Sequence, residues 1–251
     1  MKLCVAQTRS FKGDIERNIG IHKRMIELAL EKEADLILFP ELSLTGYEPT
    51  LADTLASIQE DVRLDIFQEM SDKELITICV GLPTRSKAGV HISLVVFQPD
   101  APRSTYSKQH LHKDELPFFV PGDQSMILTL DNKKIALAIC YESLLPEHAE
   151  EAAQQGAGFY LASVAKTAKG MEKANKGYPE IAKKQGMVVM MANSVGPNNE
   201  TESAGGSAVW NASGALVHQL DDHNEGFLIY DIETEEVTTW TAEGHRAEGN
   251  F

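Results

Sequence analysis

Short apolar runs recur along the chain between more polar stretches, and they predict β-strands. The runs are rich in valine, isoleucine, leucine and phenylalanine, and several are apolar at consecutive positions. A strand with one wet face alternates apolar and polar positions, so this pattern indicates strands that are covered on both faces. The predicted strands span residues 3–6, 36–39, 76–82, 92–97, 126–130, 135–139, 159–163, 188–192 and 227–232.

Amphipathic stretches between these runs predict helices. Along 14–32, apolar residues recur at spacings of three and four, which places them on one helix face. Asp14 is the expected N-cap, because its carboxylate can accept a free backbone N–H. His22 on that face is expected to be partly buried with its ring nitrogens hydrogen-bonded. Further helices are predicted across 58–70 from Ile58, Val62, Ile66 and Met70, from Pro146, and over about 171–186.

The order of these elements predicts an α/β fold. Residues 76–130 carry strands without a helical pattern, so strands there are expected to pair with one another. No change of composition and no linker rich in proline, glycine or serine divides the chain. We therefore expect a single α/β domain over residues 1–251.

Charge and cysteine content narrow the function classes. The chain carries 37 acidic and 23 basic residues, a formal net charge of -14. Such a surface repels phosphate backbones and anionic bilayers, which argues against nucleic acid or a membrane as partner. No apolar stretch approaches the ~20 residues of a transmembrane helix, and no signal peptide pattern is present. Cys4, Cys79 and Cys140 show no disulfide or zinc spacing, so a cytoplasmic location is expected.

Candidate chemistry lies just after predicted strands, where α/β sheets form ligand-binding crevices. Glu41 follows the strand at 36–39 and a proline, and burial there would raise its pKa towards the range of a general base. Lys108 and Glu115 follow the middle strands. Cys140 ends the strand at 135–139, where a sharp turn would present its thiol and the next backbone N–H to one ligand.

Taken one at a time, these residues fit structural roles better. Glu41 could be a rim glutamate in an ion pair, Lys108 a solvated lysine and Cys140 an inert core cysteine. Cys4 and Cys79 lie inside apolar runs and are expected to be core residues. Together, however, the three segments supply a nucleophile, a base and a cation at strand ends.

A metal site is the other chemistry that the middle segment suggests, through His110, His112 and Glu115. Zinc sites normally take three or four protein ligands, and no third histidine stands at ligand spacing. We therefore expect no metal.

The combination of segments resembles the nitrilase superfamily of carbon–nitrogen hydrolases. The resemblance covers nearly the whole chain, with the segments in the family's order. The segments that carry it are 39–47 (FPELSLTGY), 106–111 (YSKQHL), 140–147 (CYESLLPE), 192–196 (ANSVG) and 205–207 (GGS).

The resemblance implies a four-layer α-β-β-α sandwich that uses no cofactor. It implies that Cys140 attacks a carbonyl or nitrile carbon, that Glu41 is the base, and that Lys108 and the backbone N–H of Tyr141 hold the oxyanion. Glu115 matches a second glutamate that family members place near the lysine. Subunits of the family usually pair, often through the helix after the nucleophile, so a homodimer or a higher homo-oligomer is expected.

One position departs from the family pattern. Many members carry Cys-Tyr-Asp-x-Arg-Phe-Pro-Glu, and here Leu144 stands in place of the arginine. A guanidinium suits a substrate carboxylate and leucine does not, which disfavours N-carbamoyl amino acids and dicarboxylate monoamides as substrates. We therefore expect an amidase that hydrolyses a small linear amide. An N-carbamoyl-amide hydrolase or a nitrilase would use the same triad, and a catalytically silent binding protein is the alternative of another class.

The walls of the substrate pocket follow from the same segments. Lys166, in the loop after the strand at 159–163, could meet an anionic substrate, but a solvated surface position is the stronger expectation, because lysines are generally exposed. The residues expected to contact the substrate are Tyr47, Phe118, Phe119, Tyr141 and Ser163.

Overall fold

The computed structural model describes residues 1–199 and 201–242, and its strands build two large sheets flanked by helices. The strands are β1 (Lys2–Gln7), β2 (Leu36–Leu38), β3 (Thr77–Arg85), β4 (Val90–Phe97), β5 (Ser104–Ser107), β6 (Ile127–Leu130), β7 (Lys133–Ile139), β8 (Phe159–Val164), β9 (Val188–Asn193), β10 (Val195–Asn198), β11 (Thr201–Ala204), β12 (Ala208–Trp210), β13 (Leu216–Gln219), β14 (Gly226–Asp231) and β15 (Val237–Thr241). The helices are α1 (Ile15–Leu30), α2 (Ala52–Leu55), α3 (Asp65–Glu74), α4 (Pro146–Gln154) and α5 (Ala168–Gln185). Within the same described ranges, no helix is long and apolar enough to cross a bilayer.

The two large sheets are each built around three parallel strands. The first sheet has seven strands in the order β15-β14-β1-β2-β3-β4-β5, with β1, β2 and β3 parallel. The second has six strands in the order β13-β12-β9-β8-β7-β6, with β7, β8 and β9 parallel. Strands β10 and β11 form a separate hairpin. In each parallel trio the carboxyl ends meet at one edge of the sheet, where loops can form a site.

Three apolar clusters hold four layers together. One lies between the sheets and takes one face of both, as Leu38 of β2 and Ile139 of β7 show. A second lies between the seven-stranded sheet and helices α1 and α3, and includes Ile26 and Phe67. A third joins the six-stranded sheet to α4 and α5. The layer order is therefore helix, sheet, sheet, helix, which confirms the predicted α-β-β-α sandwich and explains the consecutive apolar positions in the central strands.

The prediction of a helix across 58–70 is wrong for its first half. Helix α3 begins only at Asp65, and the side chains of Ile58 and Val62 are exposed, at 54% and 76%. Asp61 instead accepts the backbone N–H of Arg63 and caps a short 3-10 turn. The helices predicted around 14–32, from Pro146 and over about 171–186 are confirmed as α1, α4 and α5.

Both ring nitrogens of His22 in α1 lie within hydrogen-bond distance of a partner, as predicted, but the side chain is more deeply buried than predicted. Its side chain is 1% exposed, stacks on Phe39, and places Nδ1 2.7 Å from the Asn18 carbonyl and Nε2 2.9 Å from Ser43 Oγ. Burial lowers its pKa to about 3, although the hydrogen bond to Asn18 works in the opposite direction. The imidazole is therefore neutral at physiological pH.

We expect acid to destabilise the fold partly through His22. Its pKa is near 6.5 in the unfolded chain and about 3 in the folded one, so the unfolded state takes up the proton first. The stabilising effect is complete above the unfolded pKa and is lost as pH falls towards the folded one. Between about pH 7.5 and about pH 5 this amounts to roughly 2 kcal/mol. Urea unfolding at both pH values should show a smaller drop in His22→Gln than in the wild type, and equal drops would contradict the assignment.

Candidate active site

Glu41 lies in a tight loop directly after β2, and its side chain is 2% exposed. The loop packs against the backbone of β3 at Gly81. A Cβ at Gly81 would lie 2.4 Å from the Pro40 carbonyl oxygen and 2.6 Å from the Leu42 nitrogen, so a larger residue would displace the loop. The sheet itself therefore fixes where Glu41 stands.

Helix α1 holds the other side of this loop. Asn18 donates from Nδ2 to the Leu44 carbonyl at 2.9 Å, and His22 contacts Ser43 Oγ. The Ser43 carbonyl accepts a hydrogen bond from Ser10 Oγ at 2.8 Å. The amphipathic face of α1 thus carries polar residues that orient the glutamate loop, which hydrophobic spacing alone does not reveal.

Lys108 follows β5 and is fully buried between two carboxylates. Its Nζ donates to Glu41 Oε1 at 2.8 Å and to Glu115 Oε1 at 2.7 Å. Burial alone would lower the pKa of Lys108, but the two glutamates and Cys140 raise it above its ordinary value. Burial raises the pKa of Glu41, Lys108 opposes that rise, and the charge of Glu115 adds to it. The Lys108 ammonium is therefore charged throughout the physiological pH range, and burial makes the Glu41 carboxylate more basic than an exposed one.

Glu115 is held by further donors, whereas Glu41 keeps one oxygen free. Glu115 accepts the hydroxyl of Tyr47 at 2.9 Å and the backbone N–H of His112 at 2.8 Å. Glu41 Oε2 is buried and accepts no hydrogen bond from a nitrogen or oxygen donor of the described residues, and the neighbouring Cys140 thiol lowers the pKa of the Glu41 carboxylate through a side-chain hydrogen bond. Glu115 is thus locked on Lys108, while Glu41 has an oxygen that can take a proton.

Cys140 sits at the end of β7 in a strained turn. Its φ is +47°, in the left-handed region that side-chain-bearing residues rarely adopt. Its N–H donates to the Ser163 carbonyl of β8, and Ser143 Oγ donates to its carbonyl at 2.6 Å. Among the described residues, the backbone N–H of Tyr141 has no acceptor. The turn therefore presents a thiol and a free donor side by side, as a nucleophile elbow does.

The thiol is not a ready thiolate in the free protein. The pKa of Cys140 is raised to about 11, chiefly by burial and also by the charge of Glu41, while Lys166 and Lys108 oppose the rise. A base is needed to remove the proton at neutral pH, because little thiolate forms so far below the pKa.

Glu142 joins the cysteine turn to the lysine segment, a role that sequence reasoning missed. Its carboxylate is fully buried. Oε1 accepts from Ile139 N–H at 2.8 Å and from Tyr106 OH at 2.5 Å, and Oε2 accepts from Gln109 N–H at 2.7 Å and His110 N–H at 3.0 Å. One carboxylate therefore fixes β7, in the second sheet, against the chain around Lys108, in the first. Its position two residues after the cysteine is the only sequence signal for this.

We expect Glu142→Ala to destabilise the protein by about 3–5 kcal/mol, because four buried donors lose a charged acceptor. The free energy of unfolding from urea titration measures this. Glu147→Ala, which removes an exposed carboxylate from the first turn of α4, is the matched control and should change stability by less than about 1 kcal/mol. Equal effects of the two substitutions would contradict the assigned role.

The expectation that Lys166 is a solvated surface residue is wrong. Lys166 follows β8 and is 6% exposed. Its Nζ lies 4.0 Å from Cys140 Sγ and 6.0 Å from the centre of the Tyr178 ring. The Asn193 side chain fixes the backbone here, since it accepts the Lys166 N–H and donates to the Lys166 carbonyl. Packing by α5 and β9, which no local pattern shows, brings this lysine to the thiol.

A cavity of about 690 Å³ opens over Cys140. Tyr47, Phe118 and Tyr141 line it, as expected for pocket walls. Phe119 and Ser163 do not reach it. Phe119 packs in the cluster between the sheets, and the Ser163 hydroxyl is fully buried and donates to the Phe39 carbonyl at 2.8 Å.

The arrangement suits attack on a polarised carbon. The Cys140 thiol, the unpaired Tyr141 N–H and Glu115 lie at the cavity wall, and the Lys108 ammonium with the buried Glu41 carboxylate lies directly behind them, joined through Glu115. A thiol beside a base is the usual requirement for covalent catalysis by cysteine, and the cation and N–H can stabilise a developing oxyanion.

Comparison with known proteins points to one family. A family model described as carbon–nitrogen hydrolase matches residues 2–242. The chain is 25% identical over 246 residues to a glutamine-dependent NAD(+) synthetase of Thermotoga maritima, covering 94% of this chain and 42% of that protein. It is 26% identical over 167 residues to an (R)-stereoselective amidase of a Pseudomonas species, covering 62% and 57%. The chain thus spans about half the length of these curated relatives.

Solved structures share the fold. The amidase from Nesterenkonia sp. AN1 superposes with a TM-score of 0.85 at 24% identity, covering 99% of both chains. A variant of that amidase in complex with butyramide gives the same TM-score, covering 99% of this chain and 95% of the other.

Proposed function

Since the chain belongs to the carbon–nitrogen hydrolase family, we propose that it is an amidase, which hydrolyses a small linear amide through a cysteine thioester. The observation that carries the proposal is the buried group behind the cavity wall, in which Lys108 bridges Glu41 and Glu115, while Glu115 and Cys140 themselves line the cavity. In this proposal Cys140 is the nucleophile, Glu41 the general base and Lys108 the oxyanion-stabilising cation.

The first half of the reaction forms the thioester. Glu41 takes the thiol proton on Oε2, and the thiolate attacks the amide carbon. Lys108 Nζ and the Tyr141 N–H stabilise the negative charge that develops on the amide oxygen. One such donor typically contributes on the order of 3 kcal/mol to lowering the barrier. The burial that raises the pKa of Glu41 makes it a better acceptor for that proton.

The second half releases ammonia and then the acid. The tetrahedral adduct collapses, the carbon–nitrogen bond breaks, and the leaving nitrogen takes the proton from Glu41. Water then attacks the thioester carbon and gives a proton back to Glu41. The carbon–sulfur bond breaks, and the thiolate recovers its proton. The products are a carboxylate and ammonia, and Glu115 keeps Lys108 in position throughout.

The relatives support an amide substrate over the alternatives. One matching protein is an amidase by name, and the Nesterenkonia amidase was solved with butyramide. An N-carbamoyl-amide hydrolase or a nitrilase would use the same three residues. Leu144, in place of the arginine of many family members, gives a carbamoyl amino acid no guanidinium to pair with.

Product analysis on matched substrates tests the proposal. Butyramide, N-propylurea as a neutral carbamoyl compound of the same length, and butyronitrile should be compared by ammonia release, with intact-protein mass recorded during turnover. We expect the amide to be hydrolysed fastest and a butyryl adduct to appear on the wild type. Ammonia from the nitrile or the carbamoyl compound alone would replace the amidase proposal by one of its alternatives, and absence of turnover and adduct on all three would overturn it.

The proposal also covers domain organisation, oligomeric state and cellular location. We propose one domain over residues 1–251, a homodimer that pairs through the outer face of α4 and α5, and a cytoplasmic setting. An apolar groove on that face, lined by Leu144, Pro146 and Ile181, supports the dimer, and three free cysteine thiols suit a reducing compartment. Sedimentation equilibrium at micromolar concentration tests the dimer, and a monomer mass would overturn it.

A further inference from the structure

The cavity over Cys140 is lined by basic side chains, although the protein as a whole is acidic. The chain has a net charge of -14, yet Lys113, Lys166, Lys169 and Lys173 all line this cavity. Its acidic lining residues are Asp114 and Glu115, and Glu115 already pairs with Lys108. A local field of the opposite sign to the whole surface attracts anions to this one place.

Lys166 is the only buried lysine of these four, so its ammonium has the least water to stabilise its charge. Within the described chain, no carboxylate lies within ion-pair distance of its ammonium. Its near neighbours are the Cys140 thiol and the Tyr178 ring, which carry no charge in the free protein, and the Glu41 carboxylate acts on it only from beyond ion-pair distance and already pairs with Lys108. Burying an ammonium without a partner costs several kcal/mol, and such groups are commonly found where a ligand supplies the counter-charge.

The Cys140 thiolate cannot serve as that partner throughout the reaction. Once the sulfur carries the acyl group, the thioester is neutral, and Lys166 again has no anion beside it. Both nearby carboxylates are also engaged, because Lys108 bridges Glu41 and Glu115. A counter-charge that stays through both halves of the reaction has to belong to the acyl group.

The start of helix α5 adds positive charge to the same wall. Lys169 and Lys173 are four residues apart, so they project from one face of the helix, and both line the cavity. The first turn of α5 contains no acidic residue, although a helix N-terminus favours them because its free N–H groups carry partial positive charge. Two lysines in that place are unfavourable for the helix itself and favourable for a bound anion.

We propose that the substrate amide carries a carboxylate at the far end of its acyl group, and that Lys166 binds it, with Lys169 and Lys173 at the cavity mouth. This inference rests on the proposed amidase function and names its substrate class. Nζ lies 4.0 Å from Sγ, so a carboxylate two or three carbons from the scissile carbonyl can reach it. Lys166 then supplies, from a different loop, the cation that the family pattern places at the position of Leu144, so this proposal reverses the expectation from Leu144 that dicarboxylate monoamides are disfavoured.

The test compares each anionic amide with a neutral amide of the same shape. The pairs are succinamate with 4-methylpentanamide and glutaramate with 5-methylhexanamide, each measured as kcat/KM. We expect the wild type to prefer at least one anionic member by about 100-fold, and Lys166→Met to reduce that preference by about 30-fold or more. The ratio within one variant cancels any effect of Lys166 on the thiol itself.

Two further variants keep the test decisive. Lys87→Met removes an exposed lysine from the turn between β3 and β4, away from the cavity, and should leave the preference unchanged. Lys169→Met with Lys173→Met should reduce it about 3- to 10-fold, and this double variant decides the matter if Lys166→Met does not fold.

The outcomes separate this inference from the function on which it rests. A wild type that hydrolyses the neutral amides as well as the anionic ones overturns the inference and leaves the amidase proposal standing. A preference that survives both Lys166→Met and the double variant also overturns it. Absence of turnover and of a covalent adduct on every amide overturns both proposals.

Discussion

Replacing Cys140 by alanine should abolish amide hydrolysis, with turnover falling at least ~10⁴-fold. Cys140 carries the only thiol that lines the cavity in the described part of the chain, and a covalent route through cysteine needs it for every turnover. The residual rate would come from binding and oxyanion stabilisation alone. Ammonia release by purified variant and wild type measures the effect, and intact mass should show no acyl adduct on the variant.

Cys79→Ala is the matched control for this prediction. Cys79 lies in β3, is fully buried, and has a pKa that burial raises well above its ordinary value. It should therefore be unreactive, and its replacement should leave turnover within about 3-fold of the wild type, since it lies outside the site. An adduct that persists on Cys140→Ala would show that the nucleophile is another residue.

Replacing Lys108 by methionine should damage both activity and stability. The substitution leaves Glu41 and Glu115 buried next to each other with no cation, which should destabilise the fold by about 3–5 kcal/mol. Loss of the oxyanion-stabilising ammonium should lower kcat/KM by about 10³-fold or more. Urea unfolding and ammonia release measure the two effects separately.

The double variant Lys108→Met with Glu115→Gln separates these two roles. Removing the second carboxylate relieves the repulsion, so much of the lost stability should return. Turnover should not return, because neither methionine nor glutamine supplies the cation. Recovery of both would mean that Lys108 matters only for stability.

The central fold follows from the sequence because the hydrophobic pattern determines it. Strands such as β1, β7, β8 and β9 are apolar at consecutive positions, and both their faces are covered in the sandwich. The strands that were not predicted are short or half-exposed, such as β13 and β15, so their pattern resembles that of a loop. Ile58 and Val62 have helical spacing by coincidence, and only the turn capped by Asp61 shows that the helix starts later.

The sequence predicts only those site residues that stand in recognisable local segments. Glu41, Lys108, Glu115 and Cys140 stand in recognisable segments at strand ends, and the structure brings them together. Lys166 could not be predicted in the same way, because a lysine in a polar loop looks solvated until α5 and β9 cover it. Likewise, nothing in a linear pattern indicates that Ser163 donates across the sandwich to Phe39.

The residues of the site come from both sheets. Glu41 and Lys108 follow strands of the seven-stranded sheet, and Cys140 and Lys166 follow strands of the six-stranded one. Hydrogen bonds made by the Ser163 hydroxyl and the Glu142 carboxylate connect the two sheets at this edge. During folding, either sheet can form its own hydrogen bonds without creating a working site. We therefore expect activity to return only after the two sheets have docked, so recovery of activity after denaturation should report that docking, which secondary-structure signals do not.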